Sequence, residues 1–214
     1  MWLAKLDPDP SKQRQVRLKF HKGRAVEKNW VPFVVDGELY VAYSLCPHVI
    51  LRCNVCFPRE GTPNPRCGVC TRVHNTTFPG CAERLRGGSP LIPLDSTSLI
   101  GIAHTYDGLE YTTDDLGTEV APGAVPKYVH QLYRVRRVPP FDVLALSPPF
   151  RFPDYFGSGD ARDKLQYAMG LRARAVAAAG SASSTYELEV AYGVGDCVGL
   201  MHTLRGSLEC LGLE

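Results

Sequence analysis

Residues 30–43 read WVPFVVDGELYVAY. Two runs rich in aromatic and β-branched residues, Trp30 to Phe33 and Leu39-Tyr40-Val41-Ala42-Tyr43, flank Asp36-Gly37. Asp-Gly tolerates the positive φ angles of a type I′ turn, so the stretch predicts a tight antiparallel hairpin. The same plan recurs along the chain. Pro90 to Leu94 and Leu99-Ile100-Gly101-Ile102-Ala103-His104 predict a second strand pair, and Val129 to Val135 with Val143 to Leu146 a third. Tyr186 to Tyr192 forms the last run, followed by Gly193 and Asp196. Val16, Leu18 and Phe20 alternate weakly and predict one strand near the start.

Composition agrees with a chain of short strands and turns. Twenty Gly and seventeen Pro among 214 residues leave little room for long amphipathic helices. The chain is long enough for one full all-β unit, and residues 1–214 read as a single segment. A formal charge of +2, with Lys and Arg dispersed, gives no basic stripe and so no expectation of nucleic-acid binding. The first residues, MWLAKLDPDPSKQRQ, lack the apolar core of a signal peptide, and no later run approaches the ~18 apolar residues of a membrane span. A soluble chain is expected, with its compartment left open. Residues 107–127 and 153–163 read as surface loops, and the Ala- and Ser-rich residues 172–185 as a flexible insertion or a short helix.

Three of the runs end in a polar group: Tyr43-Ser44, His104-Thr105, and Tyr192 with Asp196. Repeated strand units of this kind suit the blades of a β-propeller, and a sandwich also produces evenly spaced strands. Four motifs bear on that choice: Glu27-Lys28-Asn29-Trp30-Val31-Pro32-Phe33 with Asp36-Gly37-Glu38-Leu39-Tyr40; Leu85-Arg86-Gly87-Gly88-Ser89-Pro90-Leu91-Ile92; Ala103-His104; and Ala191-Tyr192-Gly193-Val194-Gly195-Asp196. In order and spacing they resemble the five-bladed β-propeller glycosidases, most closely the mannoside phosphorylases and related β-mannosyl-transferring enzymes. The resemblance spans residues 25–205 and implies the later three of five blades, an apparently incomplete propeller. It departs from the family in two places. Nothing in residues 1–26 matches the Glu-Asp-Pro-Arg-like motif that carries the family's proton donor, and Leu45-Cys46-Pro47-His48 stands where the family has a His-Arg pair.

The resemblance implies a pocket for a sugar or oligosaccharide, with phosphate or a nucleotide sugar as co-substrate, and glycosyl transfer or phosphorolysis of a mannoside as the activity. Asp196 resembles the family's sugar-binding carboxylate, and Glu27, Lys28 and Asn29 the polar start of a blade facing the pocket. Phosphate must be desolvated and aimed by cations, which Arg84, Arg86 and His104 supply. Gly87-Gly88 lets backbone approach a ligand closely. Trp30 and Tyr43 suit stacking on a sugar face or burial in the core. No pair of carboxylates at glycosidase spacing is assignable, so the catalytic residues stay open. Each assignment has a plainer counterpart: solvated arginines, a turn aspartate capping its own backbone, a histidine satisfied at a strand end. A non-catalytic carbohydrate-binding or scaffold fragment of such a propeller is the alternative function.

The eight cysteines need separate treatment. Cys53-x-x-Cys56 and Cys67-x-x-Cys70 have the spacing of a four-thiolate zinc site, and a zinc-stabilised interaction module on residues 46–81 is one reading of it. Strand-like residues flank both pairs, however. A single antiparallel register sets Cys53 opposite Cys70 and Cys56 opposite Cys67 around a loop of residues 57–66. Positions three apart on a regular strand face opposite ways, which favours paired thiols or disulfides stapling a Cys-rich hairpin over one shared metal. Cys46, Cys81, Cys197 and Cys210 have no spacing argument. An incomplete ring of blades also leaves an apolar face open, and a homodimer through that edge, or an N-terminal strand covering it, is expected.

Overall fold

The computed structural model describes residues 1–5, 8–9, 12–21, 29–57, 66–81, 85–107, 127–157, 159–176 and 184–214. It is all-β: several antiparallel sheets, none closed on itself, with no α-helix among the described residues. The hairpin read from Asp36-Gly37 is present as β3 (Val31–Val35) and β4 (Glu38–Ser44), with Val31 opposite Ala42 and Val35 opposite Glu38. Both turn residues have positive φ, 51° at Asp36 and 78° at Gly37, as a type I′ turn requires. β5 (His48–Cys53) and β6 (Cys70–Thr76) continue the meander into a four-stranded sheet in the order β3-β4-β5-β6. The Cys-rich stretch thus supplies the two outer strands of this first sheet.

The second sheet is also a meander. Two short first strands, β7 (Arg86–Gly87) and β8 (Ile92–Pro93), pair with β9 (Ser98–Asp107), which pairs with β10 (Lys127–Arg136) and then β11 (Val143–Leu146). Between β7 and β8 the ladder is kept by a side chain. Buried Ser89 accepts the Ile102 N–H through Oγ at 2.9 Å, so the break strands no buried donor there. The third sheet is β12 (Gln166–Val176), β13 (Thr185–Val194) and β14 (Val198–Gly206). β12 corrects one expectation: residues 172–176, read as part of an insertion or helix, are strand, with Arg172 opposite Glu189 and Arg174 opposite Glu187. Tertiary pairing overrides the helical leaning of the alanines there. Residues 177–183 and 108–126 lie outside the described residues. A two-stranded hairpin, β1 (Trp2–Lys5) with β2 (Arg14–Arg17), precedes the three sheets.

Alternation along each strand sends successive side chains into different layers. Val31, Phe33, Val35, Ala42 and Ile50 of the first sheet pack on Leu99, Ala103, Tyr133 and Val135 of the second. Ile100, Ile102 and Leu132, on the opposite face of the second sheet, pack on Ala168, Leu188, Val190, Tyr192 and Val194 of the third. Val41, Val49, Leu51, Cys53 and Cys70 form a further core on the far face of the first sheet, covered by Val16 and Leu18 around β2. The layers therefore stack in chain order: hairpin, first sheet, second sheet, third sheet. The expected N-terminal cover exists, as a hairpin lying over a sheet face.

Three disulfides fix the outer half of the first sheet: Cys53–Cys70, Cys56–Cys67 and Cys46–Cys81. The first two follow the register anticipated from spacing, and β5 and β6 hold Cys53 opposite Cys70. The ladder continues past them, with Asn54 N–H donating to Val69 O at 2.9 Å and Gly68 N–H to Asn54 O at 2.7 Å. The four thiols open to zinc on spacing alone are joined in pairs. Among the described residues no group of three or more His, Cys, Asp or Glu side chains is placed to hold a metal. No helix among the described residues is long and apolar enough to cross a membrane.

Candidate functional site

The first strands of the three sheets converge. Leu91 N–H donates to Pro32 O at 3.3 Å, tying the second sheet's first strand to β3. A side chain at Gly87 would overlap Val31 and stand 2.7 Å from Asn29 O, and one at Gly88 would stand 2.8 Å from Ile102 O and 3.3 Å from Ala168 O. Gly87-Gly88 is thus needed for backbone to pass between the first and third sheets. The glycine pair singled out as a ligand cradle is, in the structure, where three sheets meet.

At this junction Ile100, Ile102 and His104 follow one another on the same face of β9, and Tyr128 and His130 lie on the adjoining positions of β10, His130 directly opposite His104. His104 is 1% exposed. Its ring stands 5.1 Å, centroid to centroid, from both Tyr128 and Tyr167, and those two tyrosines are edge-on to each other at 6.4 Å. Tyr167, on β12, donates its hydroxyl to Asn29 Oδ1 at 3.3 Å. Arg86 pairs with His104 in the strand register and is exposed. The result is an aromatic cup: His104 at its base, half-buried Tyr128 and Tyr167 as walls, Asn29 at its rim and a guanidinium on the neighbouring strand. Such a cup can stack on an apolar ring face while the amide and hydroxyl read its polar edge.

Of the residues proposed from sequence, Asn29, Arg86 and His104 are brought together here. Asp196 is placed at the same end of the third sheet, since Tyr167 pairs with Gly193 and Asp196 follows in the β13–β14 turn. It is exposed with φ 55°, beside Gly195 at 57°, and its carboxylate makes no hydrogen bond or ion pair among the described residues. Glu27, Lys28 and Arg84 lie outside the described residues. Trp30 and Tyr43 meet edge-on at 5.5 Å in the core beneath the N-terminal hairpin, on the far face of the first sheet. Tyr192 is buried, stacked on Phe152 at 4.2 Å. Of the three aromatic or histidine strand ends, Tyr43 turns to the far face of the first sheet, whereas His104 and Tyr192 both turn into the layer between the second and third sheets.

Tyr128 and Tyr167 escaped the sequence reading. Tyr128 was signalled by its place two before His130 on a β-rich run. Tyr167 had no signal, because β12 itself was not anticipated.

Two further histidines are buried, His130 directly opposite His104 and His48 beside Phe141 in the layer between the first and second sheets. Burial pushes His130 down to about 4, against a compensating backbone interaction with Gln166. His48, which donates from Nε2 to Phe141 O at 3.0 Å, is likewise pushed down to about 4 by burial. Both are neutral at physiological pH and pack against aromatic rings, Phe150 and Phe152 for His130 and Phe78 for His48.

No protein-family model matches the chain, and the comparisons with curated proteins and with solved structures find no match either. The class defined by fold and geometry is an all-β protein of stacked antiparallel sheets with an aromatic, histidine-based cup at one end.

Proposed function

We propose that the chain is a carbohydrate-active β-propeller segment whose cup of Asn29, His104, Tyr128 and Tyr167 holds a sugar. The observation that carries this reading is the convergence of three sheets' first strands on an aromatic cluster with buried His104 at its base. Propeller blades are meanders stacked face to face around such a junction, and ligands sit where their first strands meet. Tyrosine ring faces suit pyranose faces, and the Asn29 amide with the Tyr167 hydroxyl suits neighbouring sugar hydroxyls. A mannoside is the sugar class, on the strength of the motif resemblance, with Asp196 as a further sugar contact from the adjoining turn. Arg86, exposed beside His104, supports phosphate as the second substrate and hence phosphorolysis or glycosyl transfer.

A non-catalytic sugar-binding role is the second reading. It is favoured by one specific observation: among the described residues, no carboxylate lines the cup, and glycosyl transfer by the usual route needs one as proton donor.

Calorimetric titration with mannose, a β-mannobiose, mannose 1-phosphate and inorganic phosphate tests both. Binding of a mannoside that His104→Ala and Tyr167→Ala abolish supports the cup. Turnover of the mannobiose with phosphate separates the enzyme from the binding module. A folded chain that binds none of the four ligands overturns the proposal.

A further inference from the structure

Three disulfides suit a chain that folds in an oxidising compartment, since a reducing cytosol keeps thiols apart. A secretory compartment of that kind is also where N-linked glycans are attached, to an asparagine followed two positions later by Ser or Thr with no proline between. The chain has four asparagines. Asn29 accepts the Tyr167 hydroxyl at the rim of the cup. Asn54 donates its amide to Arg66 O at 3.1 Å, and the residue two after it, Cys56, is tied into a disulfide. Asn64 precedes Pro65 and lies outside the described residues. Asn75 alone heads the acceptor triplet, Asn75-Thr76-Thr77.

The fold presents this asparagine to solvent. It sits near the end of β6, the outer strand of the first sheet, which pairs with β5 alone among the described residues. In that ladder Asn75 stands opposite Val49, so its side chain turns away from the second sheet, whereas its neighbour His74 turns inward and meets the ring of His48. The N-terminal segment touches β6 at the opposite end, where Cys70 N–H donates to Lys19 O at 2.8 Å. Asn75 and Thr77 are both exposed, and the Asn75 carboxamide makes no hydrogen bond among the described residues.

We infer that Asn75 carries an N-linked glycan. The donor is an oligosaccharide joined to a lipid through pyrophosphate, and the transferase is the membrane enzyme that reads such triplets. Asn75 Nδ2 bonds to the anomeric carbon of the first sugar, the bond from that carbon to the pyrophosphate oxygen breaks, and the lipid pyrophosphate leaves with the electron pair while the amide loses one proton. The glycan shields the outer edge of β6, seven residues without proline that could otherwise template another strand. β6 lies at the far side of the sheet from β3, so the cup stays open. The inference is independent of the proposed handling of sugars by that cup.

The test is peptide mass spectrometry of the protein purified from its native source, before and after peptide N-glycosidase, beside N75Q, T77A and T77S made in the same host. The peptide spanning Asn75 is expected to be heavier by one oligosaccharide, and release is expected to leave an aspartate in place of Asn75. Occupancy should fall to nothing in N75Q and T77A and persist at a lower level in T77S. T77A keeps Asn75 and alters only an exposed side chain, so its loss of the glycan is not a failure to fold; the three disulfides, mapped in the same digest, check this. An unmodified Asn75 in the native protein overturns the inference, and so does a glycan that persists in T77A.

Discussion

The hydroxyl of Tyr167 donates to Asn29 Oδ1 across 138 positions of sequence, at 3.3 Å. This bond spans from the start of β3 to the start of β12, and thereby sets one wall of the cup against its rim. Tyr167→Phe removes the bond and keeps the ring. The expected stability loss is about 1 kcal/mol, with sugar affinity reduced but measurable. Tyr167→Ala removes the wall, and affinity is expected to vanish while the far-UV spectrum stays β-rich. Denaturant midpoints and calorimetry on the two variants separate the roles; equal affinity in both would detach the tyrosine from the site.

Tyr133 offers a stabilising substitution. Its ring is fully enclosed and lies against Gly101, where an added Cβ would stand 2.7 Å from the ring. Its hydroxyl is buried without a hydrogen-bond partner among the described residues. A buried hydroxyl with no partner costs desolvation and returns nothing, so Tyr133→Phe is expected to raise stability by about 1 kcal/mol. Urea unfolding reads this directly. A lower midpoint would mean the hydroxyl has a role that the packing does not reveal.

Acid is expected to destabilise the fold through His48 and His130. Both are held near 4 in the folded chain against 6.5 for the free side chain, because burial disfavours the imidazolium. Between those values the unfolded chain binds protons that the folded chain refuses. Their contribution is therefore complete above about pH 6.5, is lost as pH falls towards 4, and does not change further below that. The limit is about 3 kcal/mol for each histidine. Melting temperatures measured from pH 7 to 4.5 should fall, and His130→Gln should flatten part of the slope. A level profile in the unmodified protein would contradict this account.

The disulfides are expected to act non-additively. Cys56–Cys67 closes its loop inside the one closed by Cys53–Cys70, so while either remains the unfolded chain is still constrained there. Cys56→Ser with Cys67→Ser should cost little, whereas removing both nested pairs should cost about 3 kcal/mol. Cys46–Cys81 encloses both of these pairs, so with Cys53–Cys70 intact it closes a loop of about 20 residues, and its removal should cost about 3 kcal/mol. Denaturant unfolding of the three variants checks the ordering. Equal losses from each pair would point to strain rather than chain entropy.

Much of the fold was legible because its signals are local. Asp36-Gly37 dictates its turn by φ alone, and the spacing of Cys53, Cys56, Cys67 and Cys70 encodes one register. β12 was hidden because Arg172-Ala173-Arg174-Ala175 holds its place by partners on β13, Glu187 and Glu189, which no local window contains. Cys46 and Cys81 were opaque for the same reason: their meeting depends on how the ends of β5 and β6 are brought together.

Half of the candidate site was legible. His104 announced itself at the end of an apolar alternation, and Gly87-Gly88 by its composition. The tyrosine walls come from two different sheets, and their meeting is a consequence of stacking rather than of any motif. Asp196 stands in a Gly-x-Gly-Asp turn whose positive φ is a local conformational demand, and the turn leaves its carboxylate exposed.

Every sheet here is drawn from one uninterrupted stretch of chain, and each packs chiefly on the sheet before it. Assembly can therefore follow the order in which the ribosome delivers the chain. The first meander can form and be stapled by its disulfides before the second has emerged, and each finished layer then templates the next. The long-range closures, Tyr167 to Asn29 among them, come last. In a cell, the cup would be the final part of the molecule to take shape, and a truncated translation product would keep most of its layers while lacking the Tyr167 wall of the candidate site.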